Sequence, residues 1–299
     1  MAHTEIGAGL ARRRFLRSSL GGVAGWLATT GTLLARPTLA PAGDSPIASP
    51  PARANPRQRF AIVNADDLGM SAAIDRGIFE AHDGGIVTST SLLVDGPNAE
   101  AALQETRRRP DLGLGIHVAF GMRGKQLADA QDLDGVKREL DRQLTAFVRL
   151  TGGPPDHIDS QDHFHRLFNV ARLFLEAGRR YGVPVRGFSD VVYVGRFYGQ
   201  PEFGRTDLSR ISVDALVSLL QSLKAGVSEV SCHPGHLPGP DVVYNREREE
   251  ELRTLTDGRV KTVIAEEGIQ LINHRDYARL VRRASPRTPQ GSHPPLRSD

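Results

Sequence analysis

Cysteine is nearly absent. Cys232 is the only one in 299 residues, so no disulfide can form within the chain in any redox compartment. No segment repeats at a fixed period, which sets aside solenoids and propellers. Long, strongly apolar runs are missing as well. The uncharged stretch from Ser18 to Ala35 is interrupted by Gly21, Gly22, Gly25 and Gly31, too weakly apolar to hold a bilayer well, so stable membrane insertion is not expected. Charge of one sign is also scarce outside the start of the chain. The formal net charge is +3, yet five arginines (12, 13, 14, 17 and 36) sit in the first forty residues against Glu5 alone. Taking these from totals of 38 and 35 leaves 33 bases and 34 acids, a balance that gives no electrostatic case for nucleic acid.

What is present divides the chain into four. Residues 1–40 carry Arg12-Arg13 and then Arg14-Phe15-Leu16-Arg17 ahead of the uncharged stretch, which resembles a twin-arginine signal and predicts export to the periplasm or beyond. Residues 41–58 read as a Pro/Ala-rich linker and 284–299 as a disordered tail. Between them, 59–283 is one domain of ordinary globular composition, in a chain 39% hydrophobic and 24% charged. Short apolar runs at 60–65, 87–94, 113–119, 157–160, 183–188, 229–233 and 270–273 alternate with helical periods near 72–83, 97–108, 133–150, 167–181, 213–224 and 245–266. This is the pattern of parallel strands with crossover helices. Seven strands point to an α/β fold, a (β/α) barrel that is distorted or incomplete. Val191 to Asp207 reads as a loop whose aromatics either stack on a ligand or pin the loop to the core.

In such a barrel the chemistry lies at the carboxyl ends of the strands. Here those ends are polar: Asp66-Asp67 after the first run, His117 on the third, HIDSQDHFH at 157–165 on the fourth, Arg186 on the fifth and His233 on the sixth. Adjacent carboxylates in extended chain point to opposite sides, so one can hold a cation while its neighbour moves protons. Ser71 is the expected cap of the next helix, which leaves both aspartates without a structural task. Three histidines and two aspartates within nine residues suggest metal ligation. Extended geometry puts 157, 159, 161, 163 and 165 on one side, so the three histidines share a face opposite Ile158 and Phe164. A Cys232 nucleophile is disfavoured: no Gly-rich elbow surrounds it, and His233 as its neighbour points the other way.

The motifs IVNADDLGMS at 62–71, GIVTSTSLLVDGPNA at 85–99, GIH at 115–117, PDHIDSQDHFH at 155–165 and SCHPG at 231–235, in this order, resemble the YdjC family of carbohydrate deacetylases, which includes the chitooligosaccharide deacetylases. The resemblance covers roughly 59–277. It implies a distorted (β/α) barrel resembling polysaccharide deacetylases and a divalent metal, Mg or Zn, held by an Asp and two His. Carried over by position, Asp67 and His117 are metal ligands and Asp66 the base, with His233 as acid and Arg186 orienting Asp66. The second metal histidine of the family falls on Gln161. Three outcomes stay open: His163 takes over, Gln161 serves a harder ion, or the site is impaired. Leu68 in place of Phe, and Ala119-Phe120 in place of Leu-Thr, are smaller departures. The expected reaction is hydrolysis of the acetamide of an N-acetylated oligosaccharide, releasing acetate. The rivals are a non-catalytic sugar-binding protein on the same barrel and a metal-dependent hydrolase of another bond. A homodimer is compatible with the sequence.

Overall fold

The computed structural model describes residues 58–122, 125–126, 129–237 and 244–284. The expected leader, linker and tail lie, but for Gln58 and Ala284, outside the described residues. The first strand, β1 (Arg59–Leu68), reads RFAIVNADDL and is buried at every position after Arg59, as a strand covered on both faces must be. Apart from a separate two-residue antiparallel hairpin, Gly121–Met122 with Lys125–Gln126, the other strands are β2 (Ser89–Leu92), β3 (Gly113–Val118), β4 (Ile158–Ser160), β5 (Val192–Val194), β6 (Gly226–Cys232) and β7 (Ile269–Leu271). β1 to β7 all pair in parallel, in the order β4-β3-β2-β1-β6-β5. β7 lies against Arg59 to Ala61 on β1, below the point where Asn64 meets Ser89 of β2. β1 therefore shares one side between two strands.

The expected incomplete barrel is what forms. The 183–188 run shrinks to a single bridge, Ile158 to Val185, because Gly187 turns the chain at φ +74°. That bridge still fixes the position that matters, since Arg186 N donates to Ile158 O at 3.0 Å. The next strand, β5, falls inside the stretch expected to be a loop. Its three residues are too few to show an alternation.

Helices α1 (Ala72–Asp83), α2 (Ala99–Thr106), α3 (Leu133–Thr151), α4 (Ala171–Tyr181), α5 (Val213–Gln221), α6 (Arg246–Thr256), α7 (Gly258–Glu266) and α8 (His274–Ala284) flank the sheet. Ser71 caps α1 as expected, accepting from Ile74 N at 3.2 Å. In α3 the buried positions Val136, Leu140, Gln143, Leu144 and Phe147 recur at helical spacing, and that stripe faces the core. The expected helix at 245–266 is two, because Asp257 takes extended angles (φ −65°, ψ 133°) and caps α7. α8 was not anticipated. Gly77 of α1 sits so close to Gly235 that a Cβ there would lie 2.4 Å from its Cα, so the helix packs directly on the loop that carries His233. Among the described residues no helix is long and apolar enough to cross a membrane.

Candidate active site

At the end of β1 the register slips between Ala65 and Leu68, and Asp67 adopts a left-handed backbone, φ +73°. An Asp tolerates this better than most residues, at a cost of about 1 kcal/mol or more. The slip separates the two carboxylates. Asp66 turns to Arg186, which binds it through Nη1 to Oδ2 at 2.7 Å and Nη2 to Oδ1 at 2.8 Å, while Asn64 Nδ2 donates to Oδ1 at 2.8 Å. Asp67 turns to Arg248, whose Nη2 donates to Oδ2 at 2.6 Å, and presents Oδ1 3.6 Å from His117 Nε2.

Arg186 is buried and serves three strands. It pairs with Asp66 of β1, with Asp159 of β4 at 2.7 Å and with Glu229 of β6 at 2.7 Å. Burial alone would raise the Asp66 carboxyl, but the adjacent guanidinium holds it well below the usual range. Asp159 is depressed in the same way, against its burial, by Arg186 and His117. Both are carboxylates at any physiological pH.

His117 Nδ1 lies 2.7 Å from Asp159 Oδ1, which orients the ring with Nε2 on the Asp67 side. Burial works to lower this imidazole, yet Asp159, Asp66 and Asp67 together raise it to about 9. The pocket therefore attracts positive charge. A carboxylate fixing one ring nitrogen while the other faces a second carboxylate is the arrangement that metal-ligating histidines adopt, and the 3.6 Å gap between Nε2 and Oδ1 suits two donors on one cation. Asp66, His117 and Asp159 also offer donor atoms within 4.8 Å of one another. Both carboxylates of that triangle are already engaged by Arg186.

The fourth-strand motif departs from the extended geometry expected of it. β4 ends at Ser160, and Gln161–Arg166 coil into a 3-10 turn in which Asp162 and His163 are both left-handed, at φ 53°. The odd-numbered residues therefore do not share one face. His163 is exposed at the rim; its Nε2 meets Tyr193 Oη at 3.2 Å, and partial desolvation of the ring, then Arg186, lower its pKa. His165 packs inward, bonded to Ser160 Oγ at 2.7 Å, and burial pushes it down to about 3. His157 stacks on His274 at 3.8 Å inside the barrel. Asp162 has no hydrogen-bond or ion-pair partner among the described residues. The residue is exposed at the rim, yet partial loss of water around its carboxyl raises it, and the charges that act on it most strongly after that are those of Asp67 and His117.

His233 Nε2 lies 3.8 Å from Asp66 Oδ2, and the rings of Tyr198 and Tyr244 stand edge-on to it at 5.5 and 5.4 Å. Burial lowers its pKa to about 4, against the pull of Asp66 and Asp67. Behind it, buried Glu251 accepts from the His233 backbone N and from Tyr244 Oη, and burial raises that acid to about 8. Cys232 is buried, with its thiol pushed far up by burial and by Glu251 and Asp66, so it is no nucleophile.

Arg248, Glu251 and Tyr244 escaped the sequence reading because REREEE looks like a solvated helix face. Their spacing, 244, 248 and 251, runs parallel to the apolar positions Leu252 and Leu255 of α6, and that shared stripe was the available signal.

A barrel that gathers ionised carboxylates, a buried guanidinium and imidazoles from separate strand ends into one opening is an enzyme scaffold. The chain belongs to the YdjC family: a family model described as YdjC-like protein matches residues 60–266. Among its relatives, the carbohydrate deacetylase of Geobacillus stearothermophilus is 33% identical over 254 residues, 74% of this chain and 99% of the relative. The chitooligosaccharide deacetylase of Proteus mirabilis (strain HI4320) is 33% identical over 252 residues, 72% of this chain and 97% of its own. In structure, the chain is similar to an Enterococcus faecalis V583 protein assigned provisionally to cellobiose-phosphate cleavage. The two share 26% identity and a TM-score of 0.64, over 74% of this chain and 99% of that one.

Proposed function

We propose that the protein hydrolyses the acetamide of an N-acetylated sugar or oligosaccharide with the help of a divalent cation, releasing acetate and a free amino sugar. The observation that carries this is the division of labour at the mouth: Asp66 is locked as an ionised acceptor by Arg186, and Asp67 and His117 face each other across a gap sized for a cation. Such a cation, held by Asp67 and His117, would acidify a water and polarise the acyl carbonyl. Asp66 accepts the proton of the attacking water. His233, neutral at rest because its pKa is near 4, lies 3.8 Å from Asp66 Oδ2; it takes up that proton and passes it to the leaving nitrogen as the tetrahedral intermediate collapses. Acetate release from diacetylchitobiose, with Mg²⁺ or Zn²⁺ added, tests the reading. No release from any N-acetyl sugar with either metal would sink it.

For the third cation donor, the environment of Asp162 supports it over His163, which is turned to Tyr193. Asp162→Ala is expected to weaken divalent-metal affinity by about tenfold or more, and His163→Ala to leave it within about twofold, both by calorimetry. The reverse order would return the role to His163.

His117 gives a second check. In the metal-free fold it titrates near 9 against an ordinary 6.5. Its contribution to stability is thus complete below 6.5 and is lost as pH rises through 9. At pH 7.5 a cation must displace that proton, so metal binding should release close to one proton, measured by titration in buffers of different ionisation enthalpy. Release of none would mean that His117 is not a ligand.

The arginine pair at 12 and 13 supports export by a twin-arginine-type route, and retention in the cytoplasm on Arg12→Lys with Arg13→Lys is the matching test.

A further inference from the structure

We propose that Tyr198, backed by Tyr244, forms the platform on which the sugar ring bearing the acylated nitrogen lies. The inference rests on the deacetylase reading above and adds the subsite that selects a pyranose.

The two rings are nearly parallel, 8° apart in plane with centroids at 4.8 Å. Tyr244 is the fixed layer. It is buried, its hydroxyl donates to Glu251, and it accepts from Gly199 N at 2.8 Å. Chain packing at Gly199 is tight enough that a Cβ there would stand 2.8 Å from Glu247 Cγ and from Ile211 Cδ1. Tyr198 is held from behind as well, its carbonyl accepting from Arg210 Nε at 3.1 Å. Even so, Tyr198 remains 37% exposed while its neighbour Phe197 is 1% exposed. Phe197 pins this stretch to the core. Tyr198 is not needed for that, and Tyr244 covers only one of its faces.

Position supplies the rest. The Tyr198 ring stands edge-on to His233 at 5.5 Å, and it senses the charges of Glu251, Asp162 and Asp67, so it borders the opening that holds the reacting groups. An acid that protonates a leaving amine must come within hydrogen-bond reach of it. The carbon skeleton attached to that nitrogen therefore lies within a few ångströms of His233, beside Tyr198. A pyranose presents a face of C–H groups with its hydroxyls at the rim, which suits an aromatic face with a polar tip. Burial holds the Tyr198 phenol up at about 12, so the platform stays uncharged.

The test uses the full chain with diacetylchitobiose as substrate, the deacetylated disaccharide as a binding probe, and N-acetylethanolamine as an acyl substrate with no ring. Tyr198→Phe keeps the ring and should stay within about twofold in KM. Tyr198→Ala, and Tyr198→Leu should the alanine variant fail to fold, should raise KM for diacetylchitobiose about tenfold, with a smaller change in kcat and no change on the ringless substrate. The calorimetric Kd for the disaccharide should rise in step. An unchanged KM and Kd in Tyr198→Leu, or an equal loss in Tyr198→Phe, would overturn the platform. A wild type that binds the disaccharide through Tyr198 but releases no acetate would overturn the deacetylase reading and leave the platform standing. A wild type that binds no sugar would overturn both.

Discussion

Asp66→Asn is expected to lower kcat on an N-acetylated oligosaccharide by about 10³-fold, within the range that removal of a positioned general base produces, while divalent-metal affinity stays within a few-fold. The two effects separate because Asp66 spends its oxygens on Arg186 and Asn64, whereas Asp67 faces His117. Asp67→Asn should do the converse and lose metal first. The asparagine at 66 keeps the size and one acceptor, so the fold should survive. Kinetics and calorimetry on the two variants decide it: equal loss of metal in both would merge the roles assigned to the pair.

The second large effect is on stability. Arg186→Met should remove about 3–5 kcal/mol, as breaking a buried ion pair does, because Asp66, Asp159 and Glu229 are all left buried beside one another. For a domain of this size that is a fall in Tm of about 10 °C or more. The pH dependence should also invert. In the wild type, Glu229 sits near 2, its burial outweighed by Arg186, against an ordinary 4.5. Its stabilisation is present above 4.5 and lost as pH falls toward 2. Without the guanidinium, burial and mutual repulsion push the three carboxyls above their unfolded values. The variant should then gain stability as pH drops from 7 to 5. Thermal melts at the two pH values check this, and a variant that loses less than about 1 kcal/mol, or melts no higher at pH 5, would sink the account.

Much of the fold was legible because β1, β2 and β3 are buried runs closed by turn residues, and because Ser71 announces the next helix. The Asp66-Asp67 pair and His117 were legible for the same reason: a strand end in a barrel has a known place. The fourth strand was not. Its assigned face depended on the chain staying extended through 165, and the left-handed residues 162 and 163 undo that alternation; an Asp and a His tolerate such backbone better than most residues but do not announce it. Val192–Val194 was lost to its brevity. Arg248 and Glu251 were hidden by their charge: each is buried only because the other side of the site supplies a partner, which no local pattern contains.

The gap in the barrel wall between Val185 and β5 gives Arg186 a second meaning. No backbone pairing crosses that opening among the described residues, yet one guanidinium on its near side reaches β1, β4 and, beyond the gap, Glu229 of β6. A side chain thus does the lateral joining that hydrogen-bonded strands do elsewhere. Architecture and chemistry are consequently hard to uncouple in this protein. A descendant that gave up hydrolysis could not shed the arginine by itself, only together with its acids, and so would go on looking like an enzyme after it had ceased to be one.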